Sequence, residues 1–373
     1  MMKKIFTLIA VASALSLSAQ ERCGTEALTK HMMEVSPEYK TAREKVNTQT
    51  EKWIKEYPNN SKKTIITIPV VVHLVWSTNN QNISDAQIQS QIDVLNEDYR
   101  RTNIDQINTE TPWQAIAADC EINFCLATTD PNGQPTNGIN RVETTHGQFG
   151  MDNDIHSSSA GGADDWPNDD YLNIWVCNIS NGLLGYATPP SNWIGDGDGL
   201  VIGYKYFGRV GTLQSPYNKG RTATHEIGHW LNLEHLWGAW GSCGDDQVSD
   251  TPKQESENYS CPAFPLNANA CNTTNANGDM FMNYMDYTND ACMNLFTNGQ
   301  KIRMLAAINQ YRPNMLDHNL CSGPTSVLER EATKKELVKI IDILGRETNK
   351  KNTNTPLFYI YNDGSVDKKI IIE

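Results

Sequence analysis

His225, Glu226, His229 and His235 are the residues of this chain best suited to chemistry, and they fall together in Thr224-His-Glu-Ile-Gly-His-Trp-Leu-Asn-Leu-Glu-His235. Residues four apart on a helix project from one face, so His225 and His229 can reach one metal ion. Glu226 stands beside them, placed to hold and deprotonate an attacking water. A straight helix would turn His235 away, so the chain must bend near Asn232; after glycine, asparagine best tolerates the left-handed backbone this needs. Three imidazoles leave one position of a tetrahedral zinc open to water, unlike a closed structural site with four protein ligands. Zinc lowers the pKa of such a water from about 15.7 to about 7. At roughly 1.4 kcal/mol per unit, that is on the order of 12 kcal/mol toward hydroxide. The pattern predicts a hydrolase, and first among hydrolases a peptidase.

A methionine turn follows in Asn283-Tyr-Met-Asp-Tyr287, and with the extended histidine motif it makes the metzincin pattern. Ile68-Pro-Val-Val-Val-His73, Leu95-Asn-Glu-Asp98, Gly220-Arg-Thr-Ala-Thr-His225, Asp250-Thr-Pro252 and Asp279-Met-Phe-Met-Asn-Tyr-Met-Asp-Tyr287 extend the match. On these residues the chain resembles the pappalysin family, in particular its bacterial cytophagalysin branch, from roughly Ile65 to Cys321. The resemblance implies a secreted zinc endopeptidase acting on proteins or peptides. It also implies that Met285 forms an apolar floor beneath the zinc, and that Tyr287 hydrogen-bonds the bound water or the tetrahedral oxyanion. Read without it, Met285 and Tyr287 would pass for core residues. Many relatives carry glycine where this chain has Asn232, a departure that bears only on the detail of the bend.

The elements that must position these groups can be read from periodicity. Thr64 to Trp76 is a β-branched run and a predicted strand. Ser84-Asp-Ala-Gln87 is a capping signal, after which Ile88, Ile92, Leu95 and Tyr99 line one helical face. Further strands are expected over Glu121 to Thr128, Gly138 to Thr144 and Tyr171 to Asn178, followed by the metal-binding helix from about Arg221 to Asn232. Beyond His235 the chain reads as loop until Gly299 to Gln310, where Ile302, Leu305 and Ile308 predict a closing helix. The expected class is α/β: a metzincin-type catalytic domain with an upper mixed sheet plus helices, a loop-rich lower subdomain and a small C-terminal β module.

The chain has 373 residues, of which 39% are hydrophobic and 20% charged, enough for a sizeable core. Met1-Met-Lys-Lys4, the apolar run Ile5 to Leu17 and the small residues at Leu17-Ser-Ala19 read as a signal peptide spanning 1–19. That run is too short to span a bilayer, and no other stretch approaches twenty apolar residues, so no transmembrane segment is expected. The predicted location is secreted or outer cell surface. A net charge of -13 argues against nucleic acid as a partner.

Nine cysteines in an exported chain read as a disulfide framework with one left over. The odd one is expected to be Cys23, at the head of a polar segment, residues 20–62. A thiolate can take the fourth position on zinc and exclude water, and the family resemblance implies such a cysteine switch, making 20–62 a propeptide; otherwise Cys23 is an unpaired or intermolecular cysteine in a tail. Ser61-Lys62-Lys63 is then the expected activation cleavage point. Cys243, Cys261, Cys271 and Cys292 crowd the loop-rich stretch, where crosslinks compensate for scarce apolar content. Spacing leaves three connectivities open, and the resemblance favours Cys243 with Cys271 and Cys261 with Cys292. Cys120, Cys125, Cys177 and Cys321 remain unassigned.

Gly244-Asp-Asp-Gln-Val-Ser-Asp-Thr251 offers hard oxygen ligands from Asp245, Asp246, Asp250 and Thr251, and relatives bind calcium in this half, so a structural calcium is expected here. Ile194-Gly-Asp-Gly-Asp-Gly199 lacks a bidentate glutamate and reads as a turn. The catalytic domain is expected over 63–322, with Ser322-Gly-Pro-Thr-Ser326 as a linker. The segment 323–373 alternates apolar and polar residues around Asn-Asp-Gly turn chemistry. It resembles, in shortened form, the C-terminal sorting domain recognised by type IX secretion machinery in Bacteroidetes. The enzyme is expected to be a monomer. The competing functions are a silent adhesion or binding module on the same fold, which would typically lack Glu226, and a zinc amidase acting on cell-wall material.

Overall fold

The computed structural model describes residues 22–57, 65–191, 197–238, 243–267, 271, 277–316, 320–322, 337–343, 346–348, 356–361 and 366–370. The signal peptide over 1–19, the Lys62-Lys63 cleavage point and Ile194 to Asp196 lie outside these residues. The chain divides into two compact units, Met1–Gly323 and Pro324–Glu373.

The first unit is organised around β1 (Ile66–Trp76), whose residues from Ile68 to Val75 are all buried. A parallel strand covered on both faces reads as a continuous apolar run, as this one does. Helix α1 (Thr25–Val35) and helix α2 (Pro37–Glu56) precede it, and α3 (Asp85–Tyr99) and the short α4 (Thr111–Gln114) follow. Along one edge β1 pairs in parallel with β2 (Ile122–Leu126) and then β3 (Ile139–Glu143), and along the other with β4 (Leu172–Cys177). β5 (Gly185–Ala187) is antiparallel to β6 (Gly199–Gly203), which is parallel to β4, so the path runs β2-β1-β4-β6-β5 with β5 at the rim.

The Ser84 hydroxyl caps α3 by accepting from the Gln87 amide at 3.2 Å. α3 and α5 (Arg221–Trp230) share one core with the sheet, in which Ile88, Ile92, Leu95, Ile227 and Trp230 meet Val70, Val72, Ile174 and Ile202. Among the described residues no helix or strand lies between Trp230 and α6 (Asn298–Tyr311), which opens with a capping box of Thr297 and Gln300. Disulfides Cys243–Cys271 and Cys261–Cys292 crosslink this stretch, and Cys125–Cys321 ties the end of the unit back to β2. Cys23, Cys120 and Cys177 are buried free thiols, so three cysteines rather than the expected one stand outside the disulfides; Cys120 and Cys177 are packed in the core.

The N-terminal segment carries two helices where sequence periodicity pointed to no element. The buried positions of α2 are Tyr39, Arg43, Val46 and Thr50. Half of that face is polar, so no apolar stripe marks the helix in the sequence. β5 and β6 leave no periodic signal in the sequence either, being short and rich in glycine. In the second unit β7 (Leu337–Ile341), β8 (Pro356–Tyr361) and β9 (Val366–Ile370) form an antiparallel sheet in sequential order.

Candidate active site

Helix α5 begins after Gly220, which takes a left-handed φ of +79°, and every one of its residues is buried. His225 and His229 share one face. Asn232 then adopts φ +71°, and its left-handed turn brings His235 back toward the helix. The three Nε2 atoms converge, with His229 at 3.1 Å from His225 and 3.0 Å from His235. The Nδ1 atoms of His225 and His229 face the carbonyl oxygens of Tyr284 at 2.7 Å and Leu233 at 2.8 Å. Donating there fixes the tautomer and leaves the Nε2 lone pairs pointing at a common centre. Burial holds all three imidazoles neutral, with His235 pushed down to about 3. Neutral lone pairs facing one another repel unless a cation lies between them, so this donor set fits a zinc ion.

The fourth donor comes from the other end of the chain. Sγ of Cys23 and one nitrogen of each histidine all lie within 4.8 Å of one another, and among the described residues no other such group of donors gathers at one point. Cys23 is held there by the rim strand. Its bridge to Gly185 is parallel, the Gly24 amide donates to the Gly185 oxygen at 2.9 Å, and the Leu184 amide to the Arg22 oxygen at 3.1 Å.

Glu226 is fully buried beside this centre. Its Oε2 accepts from Thr25 Oγ1 at 2.8 Å and faces Cys23 Sγ at 3.3 Å, while Oε1 has no hydrogen-bond partner in the protein. Burial pushes its carboxyl up to about 7 against the opposing effect of the two hydrogen bonds. Burial, and next the Glu226 charge, also push the Cys23 thiol well above its ordinary range.

Met285 lies under α5, where a Cβ built on Gly228 would come within 2.5 Å of its sulfur, so glycine at 228 makes room for it. The Tyr287 ring stands 5.0 Å from that of His235 and 5.7 Å from that of His225. Arg22, 1% exposed, is buried close enough to His225 and His235 for its charge to be felt there. It donates to the Thr288 oxygen, faces Asp290 Oδ1 at 3.4 Å and stacks over the Tyr217 ring at 5.0 Å. Neither Arg22, Thr25 nor Asp290 was legible as a site residue; the one signal was that Arg22 and Thr25 flank Cys23.

The remaining acidic candidates are engaged within the protein. Asp246 is buried, accepts from Thr251 Oγ1 and the Val248 amide, and is pushed up to about 7 by burial. Asp250 accepts from Thr297 Oγ1 at 2.7 Å and the Gly299 amide at 2.8 Å, capping α6, while Asp245 faces Lys253 at 3.5 Å. Asp198, from the loop read as a turn, pairs with Arg312 at 2.7 and 2.8 Å and accepts from the Trp230 indole.

A mixed, mostly parallel sheet over a histidine helix, with a methionine turn below, defines a metzincin-type zinc metallopeptidase. Residues 156–309 match the peptidase family model described as Pregnancy-associated plasma protein-A. The extracellular metalloprotease of Arthroderma otae is 31% identical over 258 residues, covering 66% of this chain and 79% of the fungal protein. A promirolysin mutant of Tannerella forsythia superposes with a TM-score of 0.72 at 47% identity, over 79% of this chain and 97% of that one. Mature Tannerella forsythia mirolysin, solved with a cleaved peptide, superposes with a TM-score of 0.64 at 51% identity, over 68% and 96%. The chain belongs to the pappalysin family and is a secreted zinc metalloendopeptidase. Among the described residues no helix is long and apolar enough to cross a membrane.

Proposed function

We propose that this enzyme is made as a latent precursor, in which Cys23 completes the zinc site, and that once freed it hydrolyses peptide bonds with Glu226 as general base. The observation that carries this reading is the convergence of Cys23 Sγ with the three histidine nitrogens. His225, His229 and His235 would hold the zinc, which when bound acidifies water and polarises a peptide carbonyl. With Cys23 in place, that position is closed to water and carbonyl alike, and Oε2 of Glu226 is occupied by Thr25 and Cys23. Removing residues 20–62 frees the carboxylate. Glu226 then takes the proton of the attacking water and passes it to the leaving amine. Tyr287, at the edge of the histidine cluster, would donate to the oxyanion, with Met285 as the floor.

In the same reading residues 1–19 are the signal peptide, 20–62 the propeptide, 63–322 the catalytic domain and 323–373 a sorting domain read by type IX secretion machinery. The enzyme acts as a monomer. A structural calcium bound by Asp245, Asp246, Asp250 and Thr251 would compensate for the burial of the Asp246 carboxylate, and to bind it Asp250 and Asp245 would have to turn from their contacts with α6 and Lys253.

Glu226→Ala is the direct test. The variant is expected to keep its zinc and its fold and to lose peptide hydrolysis by roughly 10² to 10⁴-fold or more, the range a positioned base supplies. Near wild-type turnover in a metal-replete variant would remove Glu226 from the mechanism. Activity that survives stringent chelation would point to another nucleophile.

A further inference from the structure

The Leu95-Asn-Glu-Asp98 motif sits on α3, away from the zinc ligands in sequence, yet each of its polar residues grips a different segment. Asn96 pairs with the Phe124 backbone of β2, accepting at 2.7 Å and donating at 3.0 Å. Glu97 makes a partly exposed two-point pair with Arg209 at 2.6 and 2.8 Å. Asp98 is 3% exposed and reaches the site itself. Its Oδ2 accepts from Thr224 Oγ1 at 2.8 Å, and its Oδ1 accepts from the Tyr284 hydroxyl at 2.8 Å and faces Arg221 Nη2 at 3.3 Å.

Those partners have one thing in common. Thr224 precedes the ligand His225 along the chain, and the Tyr284 carbonyl oxygen accepts from His225 Nδ1 at 2.7 Å. One carboxylate therefore holds both the segment that carries His225 and the segment that orients its ring. We propose that Asp98 is a positioning residue for His225, clamping Thr224 to Tyr284 so that Nε2 stays on the centre it shares with His229 and His235. The Tyr99 hydroxyl, donating to the Thr224 oxygen at 3.0 Å, supports the same segment from the next residue of α3. Arg221 sits against the charge of Asp98 and is itself held by Asp105 at 2.5 and 2.8 Å, which keeps the carboxylate from being an isolated buried charge.

This inference rests on the zinc reading of the three histidines, and the test separates the two. The full-length chain is loaded with cobalt(II) or zinc; the cobalt absorption bands report ligand geometry, and competition with a chromophoric chelator reports affinity. If the parent chain binds neither metal at the histidines, the zinc reading itself fails. If it binds, Asp98→Asn is expected to fold, to bind zinc roughly 10- to 100-fold more weakly and to shift the cobalt bands, the range found when a partner of a metal ligand is lost. After activation and zinc saturation, kcat should fall while KM stays within about twofold. Glu97→Gln, which loses only the Arg209 pair, should leave metal affinity and spectrum as in the parent. Should Asp98→Asn not fold, the measurement is taken on Tyr284→Phe, which deletes one hydroxyl and keeps the carbonyl, and the same weakening is expected. A folded Asp98→Asn or Tyr284→Phe chain with parental zinc affinity, cobalt spectrum and kcat, changed only in melting temperature, would overturn the proposal.

Discussion

The thiol of Cys23 lies 3.3 Å from Oε2 of Glu226, so the residue proposed to close the metal site also covers the residue proposed to move the proton. The two are more than two hundred positions apart, and the rim strand β5 brings them together through its parallel bridge between Gly185 and Cys23.

Latency should therefore depend on one sulfur atom. Cys23→Ala is expected to give measurable activity before the N-terminal segment is removed, with earlier self-cleavage near Lys62-Lys63. Zinc favours the thiolate form of cysteine, so the block needs no other strong contact. The measurement is peptide hydrolysis by the freshly purified precursor. A Cys23→Ala precursor as inactive as the parent would assign inhibition to steric cover by residues 20–62.

The buried place that Arg22 takes beside Asp290 should favour a basic side chain once the N-terminal segment has gone. Asp290 Oδ1 faces the guanidinium, and its Oδ2 is anchored by the amides of Lys219 at 2.8 Å and Arg221 at 3.3 Å. Hydrogen bonds to charged groups contribute about 1.5–3 kcal/mol. Asp290→Asn should accordingly lower the preference for an arginine peptide over its norleucine analogue by about ten- to a hundredfold in kcat/KM. An unchanged ratio would show that this place does not read charge.

Calcium should raise the stability of the loop-rich half. Any ion that binds only the folded chain raises its melting temperature by mass action, and a buried Asp246 gains most from a nearby cation. After bound ion is stripped, the melting temperature is expected to climb with calcium between micromolar and millimolar levels, and less so in Asp246→Asn. A melting temperature indifferent to calcium would count against the site.

Much of the architecture near the zinc was legible because it is local. The strand read over Thr64 to Trp76 is β1 (Ile66–Trp76), and the helix announced by Ser84 runs from Asp85 to Tyr99. The helix expected over Gly299 to Gln310 runs from Asn298 to Tyr311, one residue longer at each end, and its start is set by the capping box that Thr297 and Gln300 close. Segments held by contacts distant in sequence were not legible. β5 spans only three residues and is a strand because β6 lies beside it. α2 docks through Arg43, which donates to Asn232 Oδ1 at 3.1 Å, and Thr50, which accepts from Asn232 Nδ2 at 3.2 Å.

By itself the sequence pointed to His225, His229 and His235 as a candidate metal-binding set with Glu226 as its base: side chains four apart on a helix share a face, and asparagine at 232 permits the bend that His235 needs. It also carried the family, through motifs each short enough to keep its local shape. Only the tertiary structure decided that Cys23 joins the histidines, that Thr25 and Cys23 share Oε2 of Glu226, that Asp98 clamps Thr224 to Tyr284, and that Cys125 pairs with Cys321. Each of these joins residues far apart in the chain, and such contacts follow from which faces are buried together, a property of the packed molecule that residue spacing does not contain.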